Sequence, residues 1–242
     1  MSLLISTYER PDALRAVLAS VERQTRLPDE VVVGDDGSSP TTAEVVAAVA
    51  GRGLPLSLAR QERDGFRAAR LRNLCVAASH GDYLVMIDGD MLLHPDFIFD
   101  QVQAATPGFF VQGSRAILSD HLTQRVLTEE GYWPGFFTAG VANRKNLLRL
   151  PWLSRRLLTP RAGLRGIRTC NYALWREDFA RVNGFNEDFV GWGREDSEFT
   201  ARLLHSGVRR RNLRFAALAC HLYHLPQARS SLARNDQLLE RL

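Results

Sequence analysis

Residues 83–91, Tyr83-Leu84-Val85-Met86-Ile87-Asp88-Gly89-Asp90-Met91, decide how this chain is read. Tyr83 to Ile87 is a short apolar run of the kind buried on both faces of a parallel sheet. It stops at two aspartates separated by one glycine. Carboxylate oxygens at a buried strand's end are hard ligands, suited to an oxygen-loving divalent cation that bridges them to a diphosphate, and Gly89 lets phosphates come close. The same three residues also suit a plain polar turn, since Asp and Gly are common turn formers. The surrounding chain has to decide between the two.

Upstream, strand and helix signals alternate. Ser2 to Thr7 is apolar, and Asp12 to Gln24 carries Leu14, Val17, Leu18 and Val21 at helical spacing behind Arg10-Pro11. Val31 to Gly34 is β-branched and ends in Asp35-Asp36-Gly37-Ser38-Ser39. A helix over about 41–50, a strand over 56–59 and a helix over 66–79 precede the Tyr83 run. Repeated units of this size predict an α/β fold with a mostly parallel, doubly wound sheet. Ligands of such sheets bind beyond the carboxyl ends of the strands. Thr7-Tyr8-Glu9-Arg10, Asp35-Asp36 and Asp88-Gly89-Asp90 all fall at that edge.

Downstream, the pattern predicts strands over 109–118, 171–175 and 213–222 and a helix over 195–205. The last runs out of Gly191-Trp192-Gly193-Arg194-Glu195-Asp196, which puts Glu195 and Asp196 in a first turn where the helix dipole favours their ionised forms. A deprotonated carboxylate beside a sugar hydroxyl can act as general base, and an exposed Trp192 offers a face to a pyranose ring. Arg176-Glu177-Asp178 repeats the tripeptide with no glycine-tryptophan loop ahead of it and serves as an internal control for an ordinary acidic helix start. His221-Leu222-Tyr223-His224 closes the last strand and can bring an imidazole to a metal at Asp88 and Asp90, or serve structure alone.

The 242 residues are 45% hydrophobic and 24% charged, which excludes disordered and fibrous classes and suffices for a core without disulfides. Cys75, Cys170 and Cys220 are odd in number and far apart, as in a reducing compartment. The amino terminus reads as a first strand, and no apolar run approaches the roughly 18–20 residues of a membrane span. The chain is therefore expected to be cytoplasmic or peripheral on the inner face of the plasma membrane. Residues 144–168 hold eight cations (Arg144, Lys145, Arg149, Arg155, Arg156, Arg161, Arg165, Arg168) and no acid, with Trp152 and several leucines among them. That mixture suits an anionic membrane surface or a phosphorylated lipid-linked acceptor, or a solvated face whose leucines join the core. No nucleic-acid partner is expected, since aromatic residues are few there and acids outnumber cations in the rest of the chain.

Together these motifs resemble the inverting glycosyltransferases of family 2, with the nucleotide-diphospho-sugar transferase (GT-A) fold. Residues 1–105 (ISTYERP, VVVGDDGSS, GFRAARLRN, MIDGDM) resemble their donor half. Residues 168–236 resemble the galactosyltransferase-type segment of bacterial chondroitin polymerases, in NGFNEDFVGWGREDSEF and the closing His-x-x-His. The resemblance implies one domain over 1–242, with a nucleotide-sugar half over 1–105 and an acceptor half over 106–242. It also implies transfer from a UDP-sugar to a hydroxyl of a glycan or lipid-linked acceptor, with Mn²⁺ or Mg²⁺, in the making of a bacterial surface polysaccharide.

On that resemblance Thr7, Tyr8, Arg10, Arg67, Arg72 and Asp88 would line the nucleotide pocket, and Asp36, ahead of Asp35, would accept the uracil N–H. Asp88 and Asp90 would form the DxD metal motif, joined by His221 with His224 in reserve. Asp196 would be the base and Glu195 an acceptor contact, with the roles exchangeable. Asn171, Trp192 and Gly193 would touch sugars. Two departures stand out: the family's second glycine in WGGED is Arg194 here, and residues 119–168 have no evident counterpart. A phosphohydrolase using Asp88 and Asp90, or a catalytically silent nucleotide-sugar-binding subunit, are the competing readings. The first would place its aspartates after the first strand rather than a late one.

Overall fold

A computed structural model describes residues 1–161, 163–225 and 230–241. Its first part follows the alternation read from sequence. Strands β1 (Ser2–Thr7), β2 (Glu30–Asp35), β3 (Leu56–Arg60) and β4 (Tyr83–Asp88) are parallel in the order β3-β2-β1-β4, connected by α1 (Pro11–Glu22), α2 (Pro40–Ala50) and α3 (Ala68–Ala77). Alternate strand residues explain the continuous apolar runs. Leu3, Ile5, Val31, Val33, Val85 and Ile87 pack with Leu14, Val17, Leu18, Val46 and Val49 of α1 and α2. Leu4, Val32, Leu84 and Met86 face the other way, onto Ala69, Cys75 and Val76 of α3. A sheet covered on both faces needs apolar residues at every position.

After β4 the chain makes a corner. β5 (Met91–Leu93) starts directly behind Asp90 and is followed by α4 (Phe97–Ala104), β6 (Phe109–Gln112), β7 (Ala116–Leu118), α5 (Asp120–Thr128), β8 (Val141–Ala142), α6 (Pro151–Leu157), β9 (Pro160–Arg161), β10 (Asn171–Trp175) and α7 (Arg176–Arg181). α8 (Glu195–His205), β11 (Arg209–Asn212), β12 (Ala219–His221) and α9 (Leu232–Leu239) complete the described elements. The large sheet runs β3-β2-β1-β4-β10-β6-β11-β9, and a second runs β5-β12-β7-β8. β10 is antiparallel to both β4 and β6, so the central sheet is mixed beyond β4. It also runs without a break from the 1–105 segment into the 106–242 segment.

Two expected strands are not continuous. Phe109–Leu118 becomes β6 in the large sheet and β7 in the small one, because the chain turns at Gly113, where a Cβ would collide with the Asn171 side chain. The expected strand over 213–222 is strand only at β12, and β11 ends just before it, at Asn212. Between them Phe215 (φ 60°) and Ala217 (φ 46°) adopt left-handed backbone, and Ala217 N donates to Asp100 Oδ2 at 2.9 Å. Gly89 is also shaped by packing. Its N donates to Ser6 O at 2.7 Å, and a Cβ would sit 2.8 Å from Thr7 Cβ, so the glycine first of all lets the end of β4 close on β1.

Candidate active site

The carboxyl ends of β1 and β4, the loop into α8, and the residues around β12 surround one crevice of about 920 Å³. Thr7, Tyr8, Arg10, Asp36, Arg72, Asp88, Asp90, Trp192, Gly193, Glu195, Asp196, His221 and His224 all line it. Residues more than 200 positions apart are thus brought together by the register. β12 pairs with β5 so that His221 lies opposite Met91, and Leu222 N donates to Asp90 O at 2.9 Å.

One end of the crevice suits a cation. Asp90 Oδ2 lies 3.6 Å from His221 Nε2, 3.4 Å from His224 Nε2 and 3.8 Å from Arg10 Nη1. The ligand atoms of Asp90, His221 and His224 all fall within 4.8 Å of one another. Asp90 Oδ1 is buried and has no hydrogen-bond partner among the described residues. Burial pushes the Asp90 carboxyl up, against the pull of His224, Arg10 and Arg115. Burial, with Arg115 nearby, brings His221 down to about 4, which leaves its imidazole neutral and able to ligate. One carboxylate and two imidazoles with an unsatisfied oxygen fit a divalent metal. Asp88 does not join this group: it faces Arg72, with Oδ1 3.6 Å from Nη2.

Arg72 is the hub of the other end. From the buried face of α3 its Nη1 reaches Glu195 Oε1 at 3.3 Å and Asp196 Oδ1 at 3.6 Å, while Nη2 reaches Asp88. Burial works against its charge, but Asp196, Glu195 and Asp88 more than reverse that, and the guanidinium stays protonated. Asp196 also accepts from Thr169 N at 3.2 Å and Thr169 Oγ1 at 2.7 Å. Its side chain is 21% exposed and Glu195's only 11%. Glu195 departs from the expectation of an ionised helix start. Burial, reinforced by the Asp196 charge, raises its carboxyl to about 7, outweighing the dipole. The control tripeptide lies outside the crevice, where Asp178 is buried too and burial raises its carboxyl against the pull of Arg181 at 2.8 Å.

Arg194, where a glycine was expected, has φ 77° as a glycine would, and its guanidinium is tied to Asp236 of α9. Left-handed backbone costs a residue with a Cβ roughly 1–2 kcal/mol, and the ion pair anchors that conformation.

Three expected site residues do not reach the crevice. Asn171 is fully buried, donates to Ser114 O (2.9 Å) and Ala217 O (3.2 Å) and accepts from Gln101 (2.7 Å), so it braces β10 and cannot touch a sugar. Asp35 is fully buried and holds the next loop through Ser38 N at 2.9 Å. The Arg67 side chain turns to Asp64 (3.1 Å) in a neighbouring cleft, and only its backbone N serves the site, donating to Asp36 Oδ2 at 3.1 Å. Sequence reasoning missed Arg115, which lines the crevice with Nη1 donating to Cys170 Sγ and a buried Nε lacking a partner among the described residues. It also missed Thr169. Neither a lone arginine nor a lone threonine carries a local signal.

The basic stretch is not one surface. Arg149 is consumed by Asp100 (2.7 Å) and Asp96 (3.3 Å), and Leu147 is buried. α6 exposes Arg155 and Arg156 beside Trp152 (62% exposed) and Leu157 (42% exposed). Arg165 and Arg168 line the crevice. Residue 162 and the Arg161 side chain lie outside the described residues.

Comparison with known proteins agrees with this geometry. The profile of Glycosyl transferase family 2 matches residues 2–159, and that described as the N-terminal domain of galactosyltransferase matches 153–225, so residues 119–168 do have a counterpart. A validoxylamine A glucosyltransferase of Streptomyces hygroscopicus subsp. limoneus is 30% identical over 86% of this chain and 48% of its own. A chondroitin synthase of Escherichia coli is 28% identical over 91% of this chain and 34% of its own. The chain spans about half the length of the first of these and a third of the second. Among solved structures, the mannosyltransferase PcManGT of Pyrobaculum calidifontis in complex with GDP-Man and Mn²⁺ superposes with a TM-score of 0.63 at 22% identity, over 91% of this chain and 56% of that one. TarS 1-349 of S. aureus with UDP-GlcNAc gives 0.66 at 16% identity, over 98% and 64%. These likenesses show the GT-A fold, and with a profile that runs through the β4 corner and the crevice's donor side, the chain belongs to glycosyl transferase family 2.

Proposed function

We propose that the chain transfers a sugar from a UDP-sugar to an acceptor hydroxyl with inversion, with a divalent metal, on a glycan or lipid-linked acceptor of a bacterial surface polysaccharide. One observation carries the reading: Arg72 joins Asp88 to Glu195 and Asp196 across a single crevice, beside the Asp90–His221–His224 group. A divalent cation held by Asp90, His221 and His224 would supply charge to a departing diphosphate. Asp196 takes the proton of the attacking hydroxyl while Thr169 fixes its carboxylate, and one in-line displacement inverts the anomeric carbon. Arg72 and Arg10 place cations on the leaving side. Trp192 presents its ring to a sugar from the loop before α8. Asp196's opening onto the crevice favours turnover over a silent binding subunit. Engagement of Asp88 by Arg72 disfavours a phosphohydrolase nucleophile there.

The direct test is thermal stability across nucleotides and nucleotide sugars with and without Mn²⁺, GDP-sugars included. A UDP-sugar with metal at a hundredfold excess over its Kd is expected to raise the Tm by roughly 5–10 °C. A shift with GDP-sugars alone overturns the donor assignment.

The same reading places the enzyme at the inner face of the plasma membrane, in the cytoplasm, with α6 laid on anionic lipid. No helix among the described residues is long and apolar enough to cross a membrane. Trp152 and Leu157 are exposed among Arg155 and Arg156, and interfacial cations contribute about 1 kcal/mol each. Flotation with anionic but not neutral liposomes is expected, lost in Arg155→Gln with Arg156→Gln; recovery in the soluble fraction with both lipids would refute it.

A further inference from the structure

Six arginines line the crevice: Arg10, Arg72, Arg115, Arg165, Arg168 and Arg194. Four have partners inside the protein. Arg72 is held by three carboxylates, Arg10 faces Asp90, Arg115 donates to Cys170, and Arg194 is tied to Asp236. The guanidiniums of Arg165 and Arg168 have none among the described residues, and both side chains are exposed.

The segment that carries them is nevertheless firmly built. Arg210, itself buried, donates from Nη1 to Gly163 O (3.2 Å) and Arg165 O (3.0 Å). Gln112 grips Arg168 from both sides, accepting from its N at 3.0 Å and donating to its O at 2.9 Å. Ile167 is buried in the core between them. The next residue, Thr169, makes both hydrogen bonds to Asp196. Two uncommitted cations are therefore fixed on the crevice wall immediately before the residue that holds the base. A hydroxyl that gives its proton to Asp196 comes close to that wall, while Thr7, Tyr8 and Asp36 line the crevice at the ends of β1 and β2.

We propose that the acceptor is anionic, bearing a carboxylate or phosphate near the attacking hydroxyl, and that Arg165 and Arg168 recognise that charge. This rests on the transfer reading above, with Asp196 as base. A planar guanidinium forks onto either anion through paired hydrogen bonds, and pre-fixed backbone reduces the ordering cost of binding. In the transfer reading the leaving diphosphate falls to Arg10, Arg72 and a cation that Asp90 would hold, so the second pair of cations has a separate task.

Calorimetry with three disaccharide glycosides tests it: one ending in a uronic acid, its carboxyl-reduced neutral counterpart, and one bearing a phosphate monoester. Each is titrated into the protein with and without UDP and Mn²⁺. At least one anionic disaccharide is expected to bind about tenfold or more tighter than the neutral one, and which anion wins identifies the source of the charge. Arg165→Gln with Arg168→Gln is expected to erase that preference while the Kd for UDP stays within about twofold, and Arg168→Lys to keep part of it. No anionic disaccharide binding tighter than the neutral one overturns the proposal. So does a double variant that loses UDP affinity and keeps the preference, since the arginines would then serve the diphosphate. Absence of UDP binding to the wild type would count against the transfer reading instead, and the titrations without UDP still decide the anion preference.

Discussion

Replacing Asp196 with Asn is expected to cut turnover by about 10² or more, the scale on which a general base contributes, while UDP affinity stays within about twofold of wild type. The separation follows from the geometry. Asn is the same shape, and it can still accept from Thr169 N while the Thr169 hydroxyl reorients to accept from the new amide, so α8 keeps its start. Arg72 keeps Asp88 and Glu195 as partners, so no unpaired buried cation is created. What is lost is a carboxylate that opens onto the crevice, and an amide cannot take a proton. Glu195→Gln is the paired experiment. A carboxyl at about 7 has the basicity a general base wants, but Glu195 is the more buried of the two and is paired with Arg72, so its loss is expected to cost about tenfold or less. UDP release measured for both variants checks the assignment. An active Asp196→Asn beside a dead Glu195→Gln would reverse the two roles, and activity in both would move the base elsewhere.

The parts of this fold that were legible in the sequence are those specified locally. β1 to β4 and α1 to α3 announce themselves through apolar runs, helical spacing and polar strand ends, and the Asp88-Gly89-Asp90 and Glu195-Asp196 motifs fall where those signals place them. The parts that were not legible depend on partners far away. β5 and β8 are two or three residues long, too short for any period to show, and they exist because they pair with β12 and β7 around the Asp90 corner. Asn171 was expected at a sugar on the resemblance, and only the positions of Gln101, Ser114 and Ala217 reveal that its amide is used inside the protein. Arg72 was expected against base or phosphates. Its actual position, between donor-side and base-side carboxylates, requires α3 and α8 to meet, which no stretch of either helix encodes. The basic stretch shows the same limit, since composition counts eight cations and only the fold sets Arg149 with its acids, Arg155 and Arg156 on the surface of α6, and Arg165 and Arg168 in the crevice.

Asp90→Ala is expected to abolish the metal-dependent part of UDP affinity, with a loss in metal affinity on the order of 10² or more, since changes even beyond the direct ligands of a metal cost 10–100-fold. Among the described residues Asp90 is the one carboxylate paired with both His221 and His224, through Oδ2, and its buried Oδ1 has no partner. Without it two imidazoles remain, beside Arg10 and Arg115, whose positive charge repels a cation, with the Asp88 carboxylate left to offset it. The diphosphate would still meet Arg10 and Arg72, so a weak metal-independent affinity should survive in the variant, equal to that of wild type in chelator. Asp88→Ala is expected to differ, because Asp88 faces Arg72 and lies outside the three-residue group. It should weaken metal-dependent binding less than Asp90→Ala does and should also disturb the Arg72 hub, which a lowered Tm in the absence of ligand would report. Calorimetric titration of UDP into wild type and both variants, with Mn²⁺ and with chelator, resolves these terms. Equal UDP affinity in wild type and Asp90→Ala, or no response of wild type to chelator, would remove the metal from the site.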